Sequence, residues 1–289
     1  MIETETIALP VKPLIDGIRA ASGHPSESHS FASLFLWQQD MGLSVRLEKE
    51  AFLVRCTSRG ENCWYFPCGD REQAESWIRE LLSEEEPLRL IYLREEDAAF
   101  LSERFPDSFE IVPADSDSEY LYDRQAYLRM EGEGYRRIRR GVKKLLAENK
   151  VREEPWTADN TADMETVLQM WHARHPGEDG LMDLGTSRLL LEHGRELDFQ
   201  GVIVYLDGAP AAMCAGFPLN ETSFDIAFSK SGARVTGLQD YTRQALARLL
   251  PERYTILNGE DDLGIPGIRK VKRLMRPIGQ IQMCEARKK

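Results

Sequence analysis

The chain has 289 residues, 42% hydrophobic and 29% charged, with a formal net charge of −11. That length suits two modest domains, and the charge opposes indiscriminate binding to nucleic acid or anionic membranes while leaving room for a local basic site. The longest apolar runs, such as 211–217, fall far short of the ~20 residues a membrane helix needs. The N-terminus lacks a basic, apolar leader, and five scattered cysteines make no disulfide framework, so a cytoplasmic location is expected.

In chain order, the pattern predicts a helix over 13–21, a loop "SGHPSESHS", and a helix with Phe31, Leu34 and Phe35 on one side. Three short strands follow as a meander: "LSVRLEK", "AFLVRCTS" and "CWYFPCG". Asp70 is placed to cap a helix whose apolar stripe is Ala74, Trp77, Ile78, Leu81 and Leu82. A strand "RLIYL", a helix over 95–105 and a strand "FEIVP" complete an α/β half. The acidic stretch "ADSDSE" at 114–119 reads as a linker, which divides the chain into domains 1–117 and 118–289.

The second half opens on "YLYD" and a helix in which Tyr135, Ile138, Val142 and Leu145 recur at spacings of three and four. Helices near 160–174 and 186–197 follow. Three strands then run through 201–231, the first two joined at Asp207-Gly208, a hairpin signal. A loop "GARVTG", a helix "LQDYTRQALARLL" and a strand "YTILN" lead to "LNGEDDLGIPGIRKVKRLMRP", where an acidic block meets a basic one.

An antiparallel meander that feeds a glycine-containing loop, a helix and another strand has the order of a GNAT-type acyltransferase core. The N–H groups around 236–239 are placed to bind an anion. The final stretch resembles the motif Asn-x-Glu-x-Asp-x-Gly-x-x-Gly-(Leu/Ile)-Arg-x-x-Lys of the soluble DUF2156-type family related to the C-terminal domain of phosphatidylglycerol lysyltransferase. The matching positions are Asn258, Glu260, Asp262, Gly264, Gly267, Arg269 and Lys272, with Pro277 beyond. "ESHSFASLFLWQ" and "SEYLYDRQAYLRMEGEGYRRIRRGVKKLL" are similar to two further segments of that family. The resemblance implies an α/β (α+β) chain of two tandem GNAT-like domains with mixed, mostly antiparallel sheets flanked by helices. It also implies transfer of an acyl or aminoacyl group to an amine or hydroxyl. The family's acid–base pair on the third strand is reduced here to Lys230.

From this come the candidate residues. Glu260 and Asp262 are expected as catalytic carboxylates, acting as base or positioner, or as caps that charge the helix start near Pro266. Asn258, Arg269, Lys272, Lys230 and Gly237 are expected to bind substrate. Arg269 and Lys272 either grip a phosphate or carboxylate or pair with the acids. Arg136, Arg137, Arg140, Lys143 and Lys144 form a solvated face or a polyanion site for tRNA. His172 and His175, with Glu178 and Asp179 nearby, read as helix-end polar residues rather than metal ligands. Cys56, Cys63 and Cys68 read as core thiols. No metal and no tightly bound cofactor is expected; the donor is acyl-CoA or aminoacyl-tRNA, and the acceptor a small molecule or lipid headgroup. The alternative is a non-catalytic GNAT-like module that senses a ligand or docks a partner.

Overall fold

The computed structural model describes residues 2–58, 60–84, 87–175 and 184–289. The chain forms two compact units. The first runs to Glu119 and adds Asp261–Ile265 and Gln280–Lys289; the second comprises Tyr120–Glu260 and Pro266–Gly279. The chain therefore passes between units more than once, which a single cut at 118 does not describe.

The first unit holds α1 (Lys12–Ser22), α2 (Phe31–Trp37), β1 (Ser44–Leu47), β2 (Ala51–Ser58), β3 (Glu61–Tyr65), β4 (Cys68–Gly69), α3 (Arg71–Ser83), β5 (Arg89–Arg94), α4 (Glu95–Arg104) and β6 (Phe109–Pro113). Its sheet runs β1-β2-β3-β5, then the chain's last strand Met283–Lys288, then β6, with β4 paired to β2. That last strand pairs antiparallel with both neighbours. Asp70 caps α3 by accepting the Gln73 N–H at 2.8 Å; Ala74, Trp77, Ile78 and Leu81 of the stripe are buried, the last three in one core with Leu53, Leu90 and Leu101. Cys56 and Cys63 stand directly opposite on β2 and β3 and are disulfide-bonded. This corrects their expected state as thiols: cross-strand register, invisible in spacing alone, brings the two sulfurs together. Cys68 is a buried free thiol, as expected.

The segment 23–30, an ordinary loop by composition, is a buried polar knot. Arg19 of α1 donates to the carbonyls of His24 and Ser26, at 3.2 and 2.7 Å. His29 donates Nε2–H to the Phe66 carbonyl at 2.9 Å, which leaves Nδ1 to accept from the Ser28 hydroxyl at 3.0 Å. Ser26 donates to the Glu119 carboxylate, which also accepts the Glu27 N–H. The His24 and His29 rings sit 4.3 Å apart, both buried. Burial pushes His29 down to about 4, against the opposing pull of the Phe66 hydrogen bond and Asp97. Burial, then the neighbouring His29 and Arg94, hold His24 well below its ordinary value.

The second unit holds β7 (Glu119–Asp123), α5 (Arg124–Arg129), α6 (Arg136–Glu148), β8 (Val151–Pro155), α7 (Thr161–Arg174), α8 (Leu184–His193), β9 (Gln200–Leu206), β10 (Ala209–Gly216), β11 (Ser223–Asp225), β12 (Phe228–Ser231), α9 (Leu238–Leu249), β13 (Ile256–Asn258) and α10 (Pro266–Leu274); β14 (Gly279–Ile281) and β15 (Met283–Lys288) end the chain. One antiparallel sheet runs β12-β10-β9-β8. Asp207 and Gly208 both take positive φ, 51° and 94°, as the two-residue hairpin turn requires. In a second sheet β13 pairs parallel with β11 and antiparallel with β7. The run Ser223–Ser231 thus changes partner midway: its first part follows β13 and its second follows β10. That change is the strand splay of a GNAT-like core.

The α9 residues Leu238, Ala245 and Leu246 bury against Val202 and Val204 of β9 and Ala212 and Cys214 of β10. Arg124, itself buried, donates to the Ala247 and Leu250 carbonyls at 2.7 and 2.6 Å, capping the C-terminus of α9. The predicted α6 row holds: Ile138 and Leu145 are buried, with Tyr135 and Val142 packed beside them.

Because the folded protein holds His24 and His29 neutral, the unfolded chain binds more protons between pH about 4 and 6.5. Stability is therefore full above the ordinary histidine range and falls as pH drops through it. At pH 5.5, a decade below the ordinary value of about 6.5, the loss is about 1.4 kcal/mol per histidine. Denaturant midpoints measured at pH 7.5 and 5.5 check this, with a shallower slope expected for His24→Phe; equal midpoints contradict it.

Candidate functional site

The site of the second unit grows from two backbone features. The first is Gly237, the N-cap of α9, with φ 84°. A Cβ there would lie 2.3 Å from the carbonyl carbon and oxygen of Gly141, and a Cβ on Gly141 would lie 3.3 Å from the Gly237 Cα. Two glycines thus let α6 cross the start of α9 backbone to backbone. This crossing carries the basic helix to the helix N-terminus, where N–H groups and the helix dipole favour anions. Arg136, Arg137, Arg140 and Lys144, with Glu133, Gly134, Gly141 and Thr236, line a concavity of about 560 Å³.

Within this cleft the cations are held differently. Arg136 pairs with Glu133 at 2.6 Å, and Lys144 lies 3.9 Å from Glu148. Arg139, absent from the lining, donates to the Met130 and Gly132 carbonyls and so anchors the preceding turn. Arg276 fills the space that a Cβ on Gly134 would occupy, its Nε 2.8 Å from that point. Burial raises the Asp240 carboxyl in the first turn of α9, while Arg243 and Arg137 act in the opposite direction. Lys143 is exposed and does not join the lining.

The second feature is the end of the β11–β13 parallel pair. Asp225 and Asn258 are register partners there, 0% and 1% exposed. The Asn258 side chain accepts the Glu260 N–H at 2.8 Å, and Glu260 takes φ 57°, the left-handed region that Asn258's turn imposes. The Glu260 carbonyl accepts from Tyr120 N–H, and the Gly259 N–H donates to the Tyr120 carbonyl. This turn brings a carboxylate oxygen of Glu260 within 4.8 Å of one of Asp225. Gly259 is required, since a Cβ there would lie 2.6 Å from the Tyr122 ring.

Lys272 closes the turn from α10. Its Nζ donates to the Gly259 carbonyl, its carbonyl accepts from the Tyr122 hydroxyl at 3.0 Å, and its ammonium lies 6.0 Å from the Tyr120 ring centre. Arg269, half-buried one turn earlier, lines a separate concavity with Lys270 and Arg273. Lys230 lies 3.9 Å from the centre of the Trp171 ring, a cation–π contact on α7. Asp262 belongs to the first unit. It is buried, and its carboxylate accepts the Gly264 N–H at 3.0 Å. Asp261 caps Leu263 N–H in the same way at 3.1 Å.

Asp225 is the residue that sequence reasoning missed. Its only signal is an acid set between Phe224 and Ile226 in an apolar strand, a place where a carboxylate is costly to bury. His175 behaves as a helix-end residue: it donates Nδ1–H to the Trp171 carbonyl and stacks on that ring. Glu178 and Asp179 lie outside the described residues. Among the described residues no helix is long and apolar enough to cross a membrane.

The fold has known counterparts. A conserved protein of unknown function from Bacteroides thetaiotaomicron superposes with a TM-score of 0.91 at 20% identity, covering all of both chains. The C-terminal domain assigned to a lysylphosphatidylglycerol synthetase from Agrobacterium fabrum gives 0.70 at 13% identity, over 98% of this chain and 92% of that one. A tandem GNAT protein from the clavulanic acid biosynthesis pathway gives 0.51 at 10% identity, over 99% and 98%. These likenesses establish the tandem GNAT-like fold. No curated protein matches the sequence significantly. The family of the phosphatidylglycerol lysyltransferase C-terminal domain matches residues 19–280, and the chain belongs to that family.

Proposed function

We propose that the protein is an aminoacyltransferase, moving an aminoacyl group from a tRNA donor to an amine or hydroxyl acceptor. The carrying observation is the Asp225–Glu260 carboxylate pair, held within 4.8 Å at the end of the β11–β13 pair. An acyl-CoA donor presents no positive charge near its thioester. An aminoacyl ester carries an ammonium group next to the reacting carbonyl, and two carboxylates at this separation suit such a cation. The basic cleft at Gly237 is compatible with this donor, because its arginines and lysine suit phosphate groups, which a CoA donor would also present.

In the proposed step the acceptor oxygen or nitrogen attacks the ester carbonyl carbon. Its proton passes to a carboxylate, for which Glu260 is the less buried choice. The carbon–oxygen bond to the terminal ribose breaks, and the leaving oxygen takes that proton back from the carboxyl group, which restores the carboxylate. Asp225 and Asn258 position Glu260 and the ammonium group, and Lys272 holds the turn through the Gly259 carbonyl. A small-molecule or lipid-headgroup acceptor fits this chemistry equally.

Glu260→Gln and Asp225→Asn are expected to lower transfer by roughly 10²-fold or more, measured with tRNA charged with radiolabelled amino acids and a panel of amine and hydroxyl acceptors. Affinity for tRNA should stay within about two-fold of wild type, since neither residue lies in the phosphate cleft. Tight tRNA binding with no transfer by the wild type would instead identify a binding module. Arg137→Glu with Arg140→Glu should weaken tRNA binding and flatten its dependence on salt by about one ion per residue. An unchanged salt slope removes α6 from the donor site.

Gly237→Ala combines a left-handed backbone with a clash against Gly141 and should cost roughly 2–4 kcal/mol. Gly17→Ala, in the exposed and unobstructed middle of α1, should instead add about 0.5–1 kcal/mol. Chemical denaturation distinguishes the two; a neutral Gly237→Ala contradicts the close crossing.

A further inference from the structure

Four arginines are buried among the described residues, and three have their acceptors. Arg19 donates to the His24 and Ser26 carbonyls, Arg89 pairs with Glu285 at 2.6 Å, and Arg124 donates to the carbonyls at the end of α9. The fourth is Arg243 of α9. It is 9% exposed, and it makes no hydrogen bond or ion pair with any described residue. A guanidinium offers only N–H donors, so burying one without an acceptor is costly. Asp240, one turn earlier on the same helix, forms no ion pair with it. Burial raises the Asp240 carboxyl in spite of the opposing pull of Arg243 and Arg137.

A second donor is stranded on the neighbouring helix. Tyr127 of α5 is 1% exposed, and its hydroxyl has no hydrogen-bond partner among the described residues. The two helices are fastened at the adjoining positions, where Gln244 donates to the Leu128 carbonyl at 2.7 Å. Tyr127 shares one core with Tyr122, Cys214 and Leu246. Burial raises the Tyr127 and Tyr122 hydroxyls and the Cys214 thiol, and in each Arg243 is the first group to oppose that rise. Arg243 is therefore within electrostatic reach of both β10 and β7, which belong to different sheets. The phenol keeps its proton and donates, as the guanidinium does.

What these donors lack is an acceptor of matching shape. A carboxylate presents its two oxygens to the planar guanidinium fork and keeps a lone pair for the phenol. A phosphate dianion would bring more charge than one arginine neutralises into an apolar core. Chloride would meet the charge but not the fork.

We infer that Arg243 and Tyr127 form a binding point for the carboxylate of a small organic acid, where α5 meets α9. The site uses neither Asp225 nor Glu260 and none of the residues that line the basic cleft, and it does not rest on the transferase reading.

The full chain is titrated with acetate and with hexanoate, with chloride and inorganic phosphate compared at matched ionic strength, and the thermal midpoint is followed. The carboxylates are expected to raise the midpoint in a saturable way and the other anions to leave it in place. Arg243→Met should abolish the response. Without carboxylate, that variant should melt at or above the wild type, because it removes a buried cation that has no counter-charge. Tyr127→Phe should raise the half-saturating concentration by about three- to ten-fold. Arg243→Lys keeps the charge but loses the fork, and should raise it by roughly ten-fold; this variant carries the test if Arg243→Met does not fold. No response by the wild type overturns the inference, and so does an unchanged half-saturating concentration in the Arg243 variants. A stronger response to phosphate than to either carboxylate overturns it as well, since the site would then be one for phosphate.

Discussion

The close crossing of α6 over the start of α9 is the constraint on which the second unit's candidate site depends. A helix cannot approach another helix's N-terminus this closely with any Cβ in the way, and here Gly141 and Gly237 remove both. The same contact puts Arg136, Arg137, Arg140 and Lys144 at a helix end that already favours anions. Arg124 fixes the other end of α9 by capping its last carbonyls. The helix is thus held at both termini by features outside its own sequence, and its apolar face decides only which side lies on the sheet.

A second constraint is the change of partner along Ser223–Ser231. A strand that stays with one neighbour keeps its backbone groups satisfied and leaves no opening. By switching from β13 to β10, this run takes part in two sheets, and the β11–β13 pair ends where the run leaves it. Asp225 sits at that end, desolvated, with Asn258 alongside and Glu260 turned toward it by a left-handed residue. Burying a carboxylate and twisting a glutamate into positive φ both cost stability. Costs of this kind concentrate at functional sites, and they set the pair apart from the rest of the charge block.

Those charge blocks illustrate how local pattern and folded position differ. Glu260, Asp261 and Asp262 are consecutive, yet Asp261 and Asp262 spend their carboxylates on the N–H groups of Leu263 and Gly264. Of the basic block, Lys272 turns inward to the Gly259 carbonyl, whereas Lys270 and Arg273 face outward. Three-residue and four-residue spacings predict which side chains share a face. They do not say which face meets protein.

Much of the fold was legible before any coordinates. Asp70 as a cap, the Asp207-Gly208 hairpin, the α6 row and the order of strand, loop and helix around Gly237 follow from residue chemistry within a few positions. The family motif likewise lies in contiguous residues. What no local pattern carries is pairing across the chain: the last strand inserted beside β5, Cys56 opposite Cys63, the knot that buries His24 and His29, and Asp225 brought to Glu260. Local propensities act over one or two turns and are written in the sequence. Desolvation and long-range register depend on which surfaces meet, and only the tertiary structure decides that.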